Sequence, residues 1–193
     1  MDMNYYNENA KEFFDGTIDV DMSTLYQKFV PLLPNKGHIL DAGCGSGRDT
    51  KAFIQKGFSV YGIDASEDLS KLAEELTGQR VEVTRFQDFQ SDSLFDGVWA
   101  CASLLHVPMS ELSLSFSNLA APLKANGIFY CSFKYGNDEV QRNGRNFTNL
   151  NELLLEQVIS GSTLKVLKTW CTSDLRKGRE NEKWLNAILV KES

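Results

Sequence analysis

The chain has 193 residues, of which 42% are hydrophobic and 24% are charged, and its formal net charge is -6. This length and apolar content suffice for one substantial core, so we expect a single domain. The net negative charge argues against broad, nonspecific binding to nucleic acid or anionic membranes, although a local basic site is compatible with it. Because no apolar run approaches membrane-spanning length and the N-terminus lacks a basic-then-apolar signal pattern, we expect no membrane contact and a cytoplasmic location.

The four cysteines, Cys44, Cys101, Cys131 and Cys171, are widely spaced along the chain. No pair has the C-x-x-C spacing, and only two histidines are available to join them in a metal site. We therefore expect reduced, half-buried cysteines and no metal.

Residues 1–36 precede the first predicted strand and are interpreted as an N-terminal helical segment. The stretch 5–14 is rich in aromatic and acidic residues, whereas 23–33 has apolar residues at helical spacing. Pro31 and Pro34 disturb or end that second helix. We expect residues 23–33 to pack on the edge of a sheet.

The pattern of residues 39–48 predicts a strand, a tight turn and the start of a helix. Three glycines, Gly43, Gly45 and Gly47, follow the acidic end of the strand at alternate positions. A Cβ at such positions would stop the backbone from turning sharply and from lying against a ligand. We therefore expect a ligand to bind across this turn; a tight turn that binds nothing is the alternative.

The charges around this turn restrict the ligand. A dinucleotide fingerprint, G-x-G-x-x-G, places a pyrophosphate on the helix N-terminus, but here the third glycine comes one position early and Arg48 replaces the last glycine. Asp41 stands two residues before Gly43, where its carboxylate would repel a pyrophosphate and attract an ammonium group. The spacing D-x-G-x-G-x-G resembles motif I of the class I S-adenosylmethionine-dependent methyltransferases, whose ligand has an amino-acid end and a sulfonium instead of phosphates.

From residue 37 onward the chain alternates between predicted strands and helices. Strands are predicted at 38–42, 59–64, 81–86, 95–102, 127–133, 164–172 and 184–190, and helices at 49–56, 67–76, 111–123 and from a capping box of Asn149 and Glu152 to about residue 160. Only 11 residues separate the last two strands, too few for a helical crossover, so these strands should be antiparallel neighbours. The expected fold class is α/β, a Rossmann-like seven-stranded mostly parallel sheet with helices on both faces and a C-terminal antiparallel hairpin. The expected division is an N-terminal segment, 1–36, and a sheet domain, 37–193.

The final hairpin also resembles the class I methyltransferase arrangement, which ordinary dinucleotide-binding domains lack. The matching motifs occur in the family's order across about residues 37–190, and the chain resembles the small bacterial-type, tellurite-resistance-like group. This resemblance implies S-adenosyl-L-methionine as the cofactor and methyl transfer as the reaction. It also suggests that residues 5–14 form a lid over the ligand, with plain packing as the alternative. Through the resemblance, the residues expected at the cofactor are Asp41, Gly43, Cys44, Gly45, Gly47, Arg48, Asp64, Ala65, Ser66, Asp88, Phe89 and Ser103.

Several of these residues have an expected role. Asp64 ends the second strand, where a carboxylate can accept two hydrogen bonds from a ribose diol. Asp88 and Phe89 match the family positions that contact the adenine amino group and ring; a solvated carboxylate beside a core phenylalanine is the alternative. Arg48 lies in the first turn of a helix, where a cation opposes the helix dipole by roughly 0.3 to 1 kcal/mol. Its expected partner is the methionine carboxylate, or else Asp49 or Asp64.

His106 follows the fourth predicted strand, at the carboxyl edge where open α/β sheets bind ligands. Because the ordinary pKa of histidine lies near neutrality, His106 is the candidate general base for a nucleophile that must lose a proton. The alternative is a hydrogen-bonded histidine that holds the loop before Pro108.

The turn between the last two strands, residues 173–183, should overhang the same edge of the sheet. Its basic residues are Arg176, Lys177, Arg179 and Lys183. The residues expected at the acceptor are Tyr6, Tyr135, Arg176 and Arg179. Arginine forks would suit an anionic group on the acceptor. Solvated charges paired with acidic neighbours are the alternative.

Signals for other functions are weak. The chain has no G-x-x-x-x-G-K-[ST] phosphate loop, no zinc-ligand spacing, and no Asn-Pro-Pro-Tyr motif of the type found in methyltransferases that act on DNA base amino groups. A small-molecule acceptor is therefore the first hypothesis and RNA the second. A nicotinamide-dependent oxidoreductase and a noncatalytic binding module of the same fold are the alternatives from other classes.

Overall fold

The computed structural model describes residues 3–142, 144–176 and 178–192. Its α-helices are α1 (Met3–Glu8), α2 (Ala10–Thr17), α3 (Ser23–Phe29), α4 (Arg48–Gln55), α5 (Glu67–Thr77), α6 (Met109–Ala120) and α7 (Glu152–Ile159). Its strands are β1 (His38–Ala42), β2 (Ser59–Asp64), β3 (Val81–Val83), β4 (Phe95–Ala100), β5 (Leu123–Lys134), β6 (Glu139–Arg142), β7 (Arg145–Thr148), β8 (Leu164–Ser173) and β9 (Lys183–Lys191). Short 3₁₀ turns lie at Val30–Leu32 and Leu104–His106. Lys177, one of the predicted basic residues, lies outside the described residues.

The strands form two sheets. The larger sheet has seven strands in the order β3-β2-β1-β4-β5-β9-β8. Neighbouring strands from β3 to β5 are parallel, whereas β9 is antiparallel to both β5 and β8. This topology confirms the predicted Rossmann-like sheet with its C-terminal antiparallel hairpin. The smaller sheet is the antiparallel hairpin of β6 and β7.

The order of the parallel strands reverses at β1, which pairs with β2 on one side and with β4 on the other. Ligands of open α/β sheets bind at the carboxyl ends of the strands where such a reversal occurs. The glycine turn that follows β1 and the Leu104–His106 turn that follows β4 both lie there. The topology therefore places the two predicted functional segments at one end of the sheet.

Helices cover both faces of the larger sheet. On one face Phe116 of α6 packs against Phe129 of β5. On the other face Phe29 of α3 packs against Trp99 of β4, and the Trp99 and Tyr130 rings stack with centroids 4.0 Å apart. Phe129 and Tyr130 are consecutive in β5, and successive side chains of a strand point to opposite faces of the sheet. Strand β5 therefore contributes side chains to the core on both faces. Among the described residues, no helix is both long and apolar enough to cross a membrane.

The segment between β5 and α7 differs most from the prediction. No element is predicted between Phe133 and Asn149, yet β6 and β7 form a hairpin there. The predicted cap is also wrong, because Asn151 is the N-cap of α7 and its side chain accepts a hydrogen bond from Leu154 N at 2.9 Å. The Asn149 side chain instead donates to Asp138 Oδ1 at 2.8 Å, where it joins the two ends of the hairpin segment.

Two strand bounds differ from the prediction by three residues or more. β3 ends at Val83 instead of Phe86, because its partner β2 ends at Asp64, which lies opposite Val83. Phe86 then points into the core, where it is 4% exposed. β5 begins earlier than predicted, at Leu123, which pairs with Phe95 ahead of a bulge.

Candidate active site

The glycine turn between β1 and α4 has a backbone that favours glycine. Gly43, Gly45 and Gly47 have φ values of 78°, 54° and 76°, in the left-handed region. A Cβ on Gly43 would lie 2.5 Å from the Cβ of Ser103, and one on Gly45 would lie 3.1 Å from the Phe13 ring. Glycine is therefore needed both for the turn itself and for the close approach of neighbouring segments.

Asp64, at the end of β2, connects this turn to the next helix. Its Oδ2 accepts a hydrogen bond from Gly45 N at 2.9 Å, and its Oδ1 accepts one from Ser66 N at 2.8 Å. Ser66 in turn caps α5 by accepting a hydrogen bond from Leu69 N at 3.2 Å. Burial raises the pKa of Asp64, while hydrogen bonds from the backbone, including Ala65, lower it. Each carboxylate oxygen keeps a further lone pair that can accept a ligand hydroxyl.

Asp41 and Cys44 are buried beside the turn. The Thr50 hydroxyl donates to Asp41 Oδ2 at 2.6 Å. Burial, and next the negative charge of Asp49, raise the pKa of Asp41 above its ordinary range. Burial likewise raises the pKa of the Cys44 thiol, so this thiol stays protonated at neutral pH. Asp41 is 2% exposed and is thus enclosed by protein groups.

Arg48 pairs with Asp49, the next residue of α4. Its Nε and Nη2 donate to the two carboxylate oxygens of Asp49 at 2.7 and 2.9 Å, and its Nη1 donates to Thr17 O at 3.3 Å. Asp49 also accepts hydrogen bonds from the Tyr26 hydroxyl at 2.5 Å and from Trp99 Nε1 at 2.8 Å. Although burial alone would raise the pKa of Asp49, the Arg48 guanidinium holds it below its ordinary range. Of the partners expected for Arg48, the structure shows Asp49.

His106 lies in the 3₁₀ turn after β4 and is 8% exposed. Its Nδ1 is 2.8 Å from Asn146 O, and its Nε2 is 2.7 Å from the Tyr6 hydroxyl. Because a carbonyl oxygen can only accept, Nδ1 carries the proton and Nε2 accepts the hydrogen bond from Tyr6. Burial lowers the pKa of His106 to about 4 and raises the pKa of Tyr6 to about 12. Both side chains are therefore uncharged at neutral pH.

A cavity of about 160 Å³ extends from the glycine turn along the carboxyl edge of the sheet. It is lined by Gly43, Cys44, Gly45 and Arg48 from the turn, by His106, and by Arg176 and Arg179 from the turn between β8 and β9. Residues of α2 and of β7 close its sides. The structure thus brings residues from both ends of the predicted site into one cavity.

Residues 39–127 match the family model for a methyltransferase domain. The chain is 33% identical over 113 residues to a Bacillus subtilis protein named methyltransferase YqeM, across 53% of this chain and 46% of that protein. It is 30% identical over 110 residues to glycine N-methyltransferase of Mus musculus, across 47% of this chain and 38% of that enzyme. The fold is similar to that of 1,6-didemethyltoxoflavin-N1-methyltransferase of Burkholderia thailandensis, with a TM-score of 0.76 and 18% identity over 98% of this chain and 85% of that chain.

Residues 39–127 are thus similar to a methyltransferase domain, and the fold is similar to that of class I methyltransferases. S-adenosylmethionine is the cofactor of that class, and the Burkholderia structure holds S-adenosylhomocysteine. The matched regions span less than half the length of the two curated relatives named above.

The residues of the candidate site fit S-adenosylmethionine. The carboxylate of Asp64 has lone pairs for ribose hydroxyls, and the glycine turn presents backbone without side chains at the cavity. The Phe13 ring of α2 lies directly beside Gly45, since a Cβ on Gly45 would be only 3.1 Å from it. Helix α2 therefore occupies the space beside the glycine turn.

Some residues predicted at the cofactor have other contacts. Asp88 is exposed and accepts a hydrogen bond from Arg85 Nε at 2.7 Å, whereas Phe89 is 1% exposed in the core. Ser103 is buried and donates to Ala42 O at 2.7 Å. The expected adenine contacts of Asp88 and Phe89 stay predictions.

The basic residues predicted in the turn between β8 and β9 are paired with acidic neighbours. Arg176 Nε and Nη2 donate to the Asp174 carboxylate at 2.9 and 2.6 Å. Oε1 of Glu182 lies 3.9 Å from Arg179 Nη1, and Oε2 of Glu182 lies 2.5 Å from Lys134 Nζ. Arg176 therefore lines the cavity with a compensated charge, whereas Arg179 shares the single charge of Glu182 with Lys134.

The two tyrosines predicted at the acceptor have different surroundings. Tyr6 reaches His106, as described above. The Tyr135 hydroxyl donates to Glu152 at 3.0 Å, and Lys183 Nζ lies 4.0 Å from the Tyr135 ring centroid. Tyr135 is 37% exposed and is not among the residues that line the cavity with His106.

Arg145 of β7 also lines the cavity and is not among the residues predicted from the sequence. Its guanidinium carbon lies 4.5 Å from the Tyr5 ring centroid and 5.2 Å from the Phe147 ring centroid. Its Nε is buried and has no hydrogen-bond partner among the described residues. The adjacent Asn143-Gly144 pair is a hairpin signal that could have drawn attention to this segment.

Proposed function

We propose that the protein transfers a methyl group from S-adenosylmethionine to a small acceptor molecule. The observation that carries this proposal is the cavity that joins the glycine turn to His106 and to the turn between β8 and β9. A cofactor held at the glycine turn and an acceptor held under the hairpin would meet in this cavity. The family match of residues 39–127 supports the same reaction. The narrower assignment to the tellurite-resistance-like group rests on the sequence resemblance alone.

The proposed cofactor end is formed by the glycine turn and the end of β2. There Asp64 would accept the ribose hydroxyls, while Asp88 and Phe89 would meet the adenine. Asp41 lies below the turn, and an ammonium group nearby would lower its raised pKa and favour the carboxylate. When bound, S-adenosylmethionine supplies a methyl group that its sulfonium already activates. The chain then has to hold the acceptor in line and exclude water.

His106 is the proposed proton acceptor. Nε2 is its basic nitrogen, because Nδ1 donates to Asn146 O. Tyr6 now occupies Nε2, and a pKa of about 4 makes His106 a weak base in this arrangement. Proton removal therefore requires that Tyr6 move away and that an N–H or O–H of the acceptor take its place.

The N-terminal segment, residues 1–36, is proposed to act as a lid through α1 and α2. The Ser66 hydroxyl donates to Asn7 Oδ1 at 2.7 Å, and the Thr17 hydroxyl donates to Ser46 Oγ at 3.1 Å. These bonds fasten both helices beside the cofactor end. The cavity of about 160 Å³ that they leave is smaller than the about 300 to 1,000 Å³ of typical small-molecule sites. We therefore expect both helices to shift when cofactor and acceptor enter.

A small acceptor suits this geometry better than RNA. The cavity lies under α2 and both hairpins, and the chain carries a net charge of -6, which disfavours a long polyanion. Two of the similar proteins described above are named for small acceptors, glycine and didemethyltoxoflavin.

The proposal is tested by incubating the purified protein with methyl-labelled S-adenosylmethionine and separate pools of metabolites and of RNA. We expect label in the metabolite pool and none in RNA. Label in RNA alone would favour the RNA-modifying alternative. Binding of S-adenosylhomocysteine without transfer to any pool would favour a noncatalytic binding module.

A further inference from the structure

The β6–β7 hairpin holds the histidine turn in place. His106 Nδ1 donates to Asn146 O at 2.8 Å, and the Thr148 hydroxyl donates to Val107 O at 2.7 Å. The Phe147 ring packs edge-on against the His106 ring, with centroids 4.9 Å apart. Side chains from β7 are therefore fixed relative to His106.

The cations of the cavity wall differ in how their charge is compensated. Arg48 pairs with Asp49, Arg176 with Asp174, and both Lys134 and Arg179 with Glu182. Within residues 3–142, 144–176 and 178–192, no carboxylate forms an ion pair with Arg145, and its buried Nε has no hydrogen-bond partner. A buried N–H group without a hydrogen-bond partner costs free energy, which a bound anion would recover.

The surroundings of Arg145 indicate what kind of anion would fit. The Tyr5 and Phe147 rings pack against the guanidinium, which leaves its edge of N–H groups for polar partners. Arg145 also interacts with the Tyr6 hydroxyl, which in turn donates to His106 Nε2 at 2.7 Å. The Tyr6 hydroxyl thus lies close to the charge of Arg145 and donates to His106. A molecule that displaces this hydroxyl has to supply a donor to His106 and can place a negative charge beside Arg145.

We propose that Arg145 binds a carboxylate group of the methyl acceptor and thereby places the acceptor's nucleophile at His106. A carboxylate offers two oxygens to the guanidinium fork. It also brings one negative charge, which no described carboxylate supplies to Arg145. An N–H or O–H close to the carboxylate in the same molecule would donate to His106 Nε2. This inference rests on the proposed methyl transfer, since it assigns the acceptor's chemical class.

Acetate serves as the probe for this carboxylate site, and neutral acetamide of nearly the same shape serves as its control. The ¹⁵N-labelled protein is titrated with each compound, with and without S-adenosylhomocysteine, while the arginine Nε–Hε resonances are followed by NMR. The resonance of Arg145 is assigned by its loss in Arg145→Lys. We expect acetate to shift this resonance saturably and acetamide to leave it unchanged at the same concentration.

Matched variants separate Arg145 from the other arginines of the cavity. We expect Arg145→Gln to weaken acetate binding by about tenfold or more, because it removes the charge and the fork. Arg176→Gln should stay within about twofold of the unaltered protein, since Asp174 already compensates Arg176. If Arg145→Gln does not fold, Arg145→Lys provides the comparison, and it too should bind acetate more weakly.

Three results would overturn the inference: equal acetate affinity in the Arg145 variants, equal shifts with acetamide, or a stronger response of Arg145 to methylphosphonate than to acetate. Calorimetry with S-adenosylhomocysteine is measured on the same proteins. Normal binding of S-adenosylhomocysteine without an acetate response would remove the carboxylate site and leave the proposed methyl transfer standing. An acetate response without S-adenosylhomocysteine binding would remove the methyl transfer and leave Arg145 as an anion site.

Discussion

His106 Nε2 is the atom on which the proposed proton removal depends. We expect His106→Asn to keep the affinity for S-adenosylhomocysteine within a few fold and to slow methyl transfer by about 100-fold or more, because an amide cannot take up a proton at neutral pH. Calorimetry and steady-state rates between pH 6 and 9 measure the two effects. Full activity of this variant across that range would return His106 to the role of holding the loop before Pro108.

The burial of His106 also makes a prediction about stability in acid. The pKa of His106 is about 4 in the folded protein, against an ordinary value of 6.5. Between these pH values the unfolded chain binds a proton that the folded chain does not, so the free energy of unfolding falls as the pH drops from about 6.5 to about 4. The loss attributable to His106 is on the order of 3 kcal/mol.

Denaturant unfolding at pH 7 and pH 4.5 measures this loss, with His106→Asn as the comparison. The contributions of other groups, including Asp41, are common to both proteins and cancel in the difference. We expect the variant to lose about 2 to 3 kcal/mol less than the unaltered protein over this interval. Equal losses would mean that His106 titrates normally in the folded state.

At the scale of single elements, the Tyr6 hydroxyl is expected to keep α1 closed over the site. Tyr6→Phe keeps the ring but removes the hydrogen bond to His106 and leaves Nε2 without a donor, at a cost of about 1 to 3 kcal/mol. Hydrogen exchange of residues 3–17 should therefore become roughly 5- to 100-fold faster. Tyr5→Phe, which keeps the ring over Arg145, is the matched control and should exchange at nearly the normal rate. Unchanged exchange in Tyr6→Phe would argue against this hydrogen bond as the fastener of the lid.

The elements differ in how well the sequence predicts them, for physical reasons. The bounds of β1 and β2 are predicted correctly, because buried apolar strands with turn residues at their ends carry a strong local signal. The hairpin of β6 and β7 escapes prediction because β6 is short, mostly exposed and rich in polar residues. It is held instead by distant contacts such as that of Thr148 with Val107 O.

The same distinction applies to the candidate site. The glycine turn is a local feature, so residues 43–47 could be recognised from their spacing and confirmed by their φ values. The pairing of His106 with Tyr6 joins residues 100 positions apart and depends on where α1 packs. Arg145 lies on a hairpin that the sequence does not predict, and among the described residues no carboxylate forms an ion pair with it. The sequence therefore predicts the conformation of the glycine turn better than the arrangement of residues around His106 and Arg145.

At the scale of the whole molecule, the strand order explains why distant segments share one cavity. β5 runs toward the carboxyl edge, so the β6–β7 hairpin that follows it starts there, and the antiparallel β8 and β9 place their connecting turn at the same edge. Arg145 and Arg176 therefore meet the glycine turn in one cavity, although they come from separate hairpins. A ligand in this cavity would contact the N-terminal, central and C-terminal parts of the chain together.

Because a ligand that contacts all these parts binds only the folded chain, it should stabilise the whole domain. S-adenosylhomocysteine at about 100 times its dissociation constant should raise the free energy of unfolding by ~2.7 kcal/mol. For a chain of this size, each kcal/mol corresponds to about 2 to 4 °C in the midpoint of thermal unfolding, hence roughly 5 to 10 °C in total. NAD should have almost no effect, because the third glycine of the turn comes one position early for the dinucleotide fingerprint and Arg48 replaces its last glycine. Thermal unfolding with each compound measures both effects. A midpoint raised by NAD and unchanged by S-adenosylhomocysteine would favour the nicotinamide-dependent alternative and contradict the proposed methyl transfer.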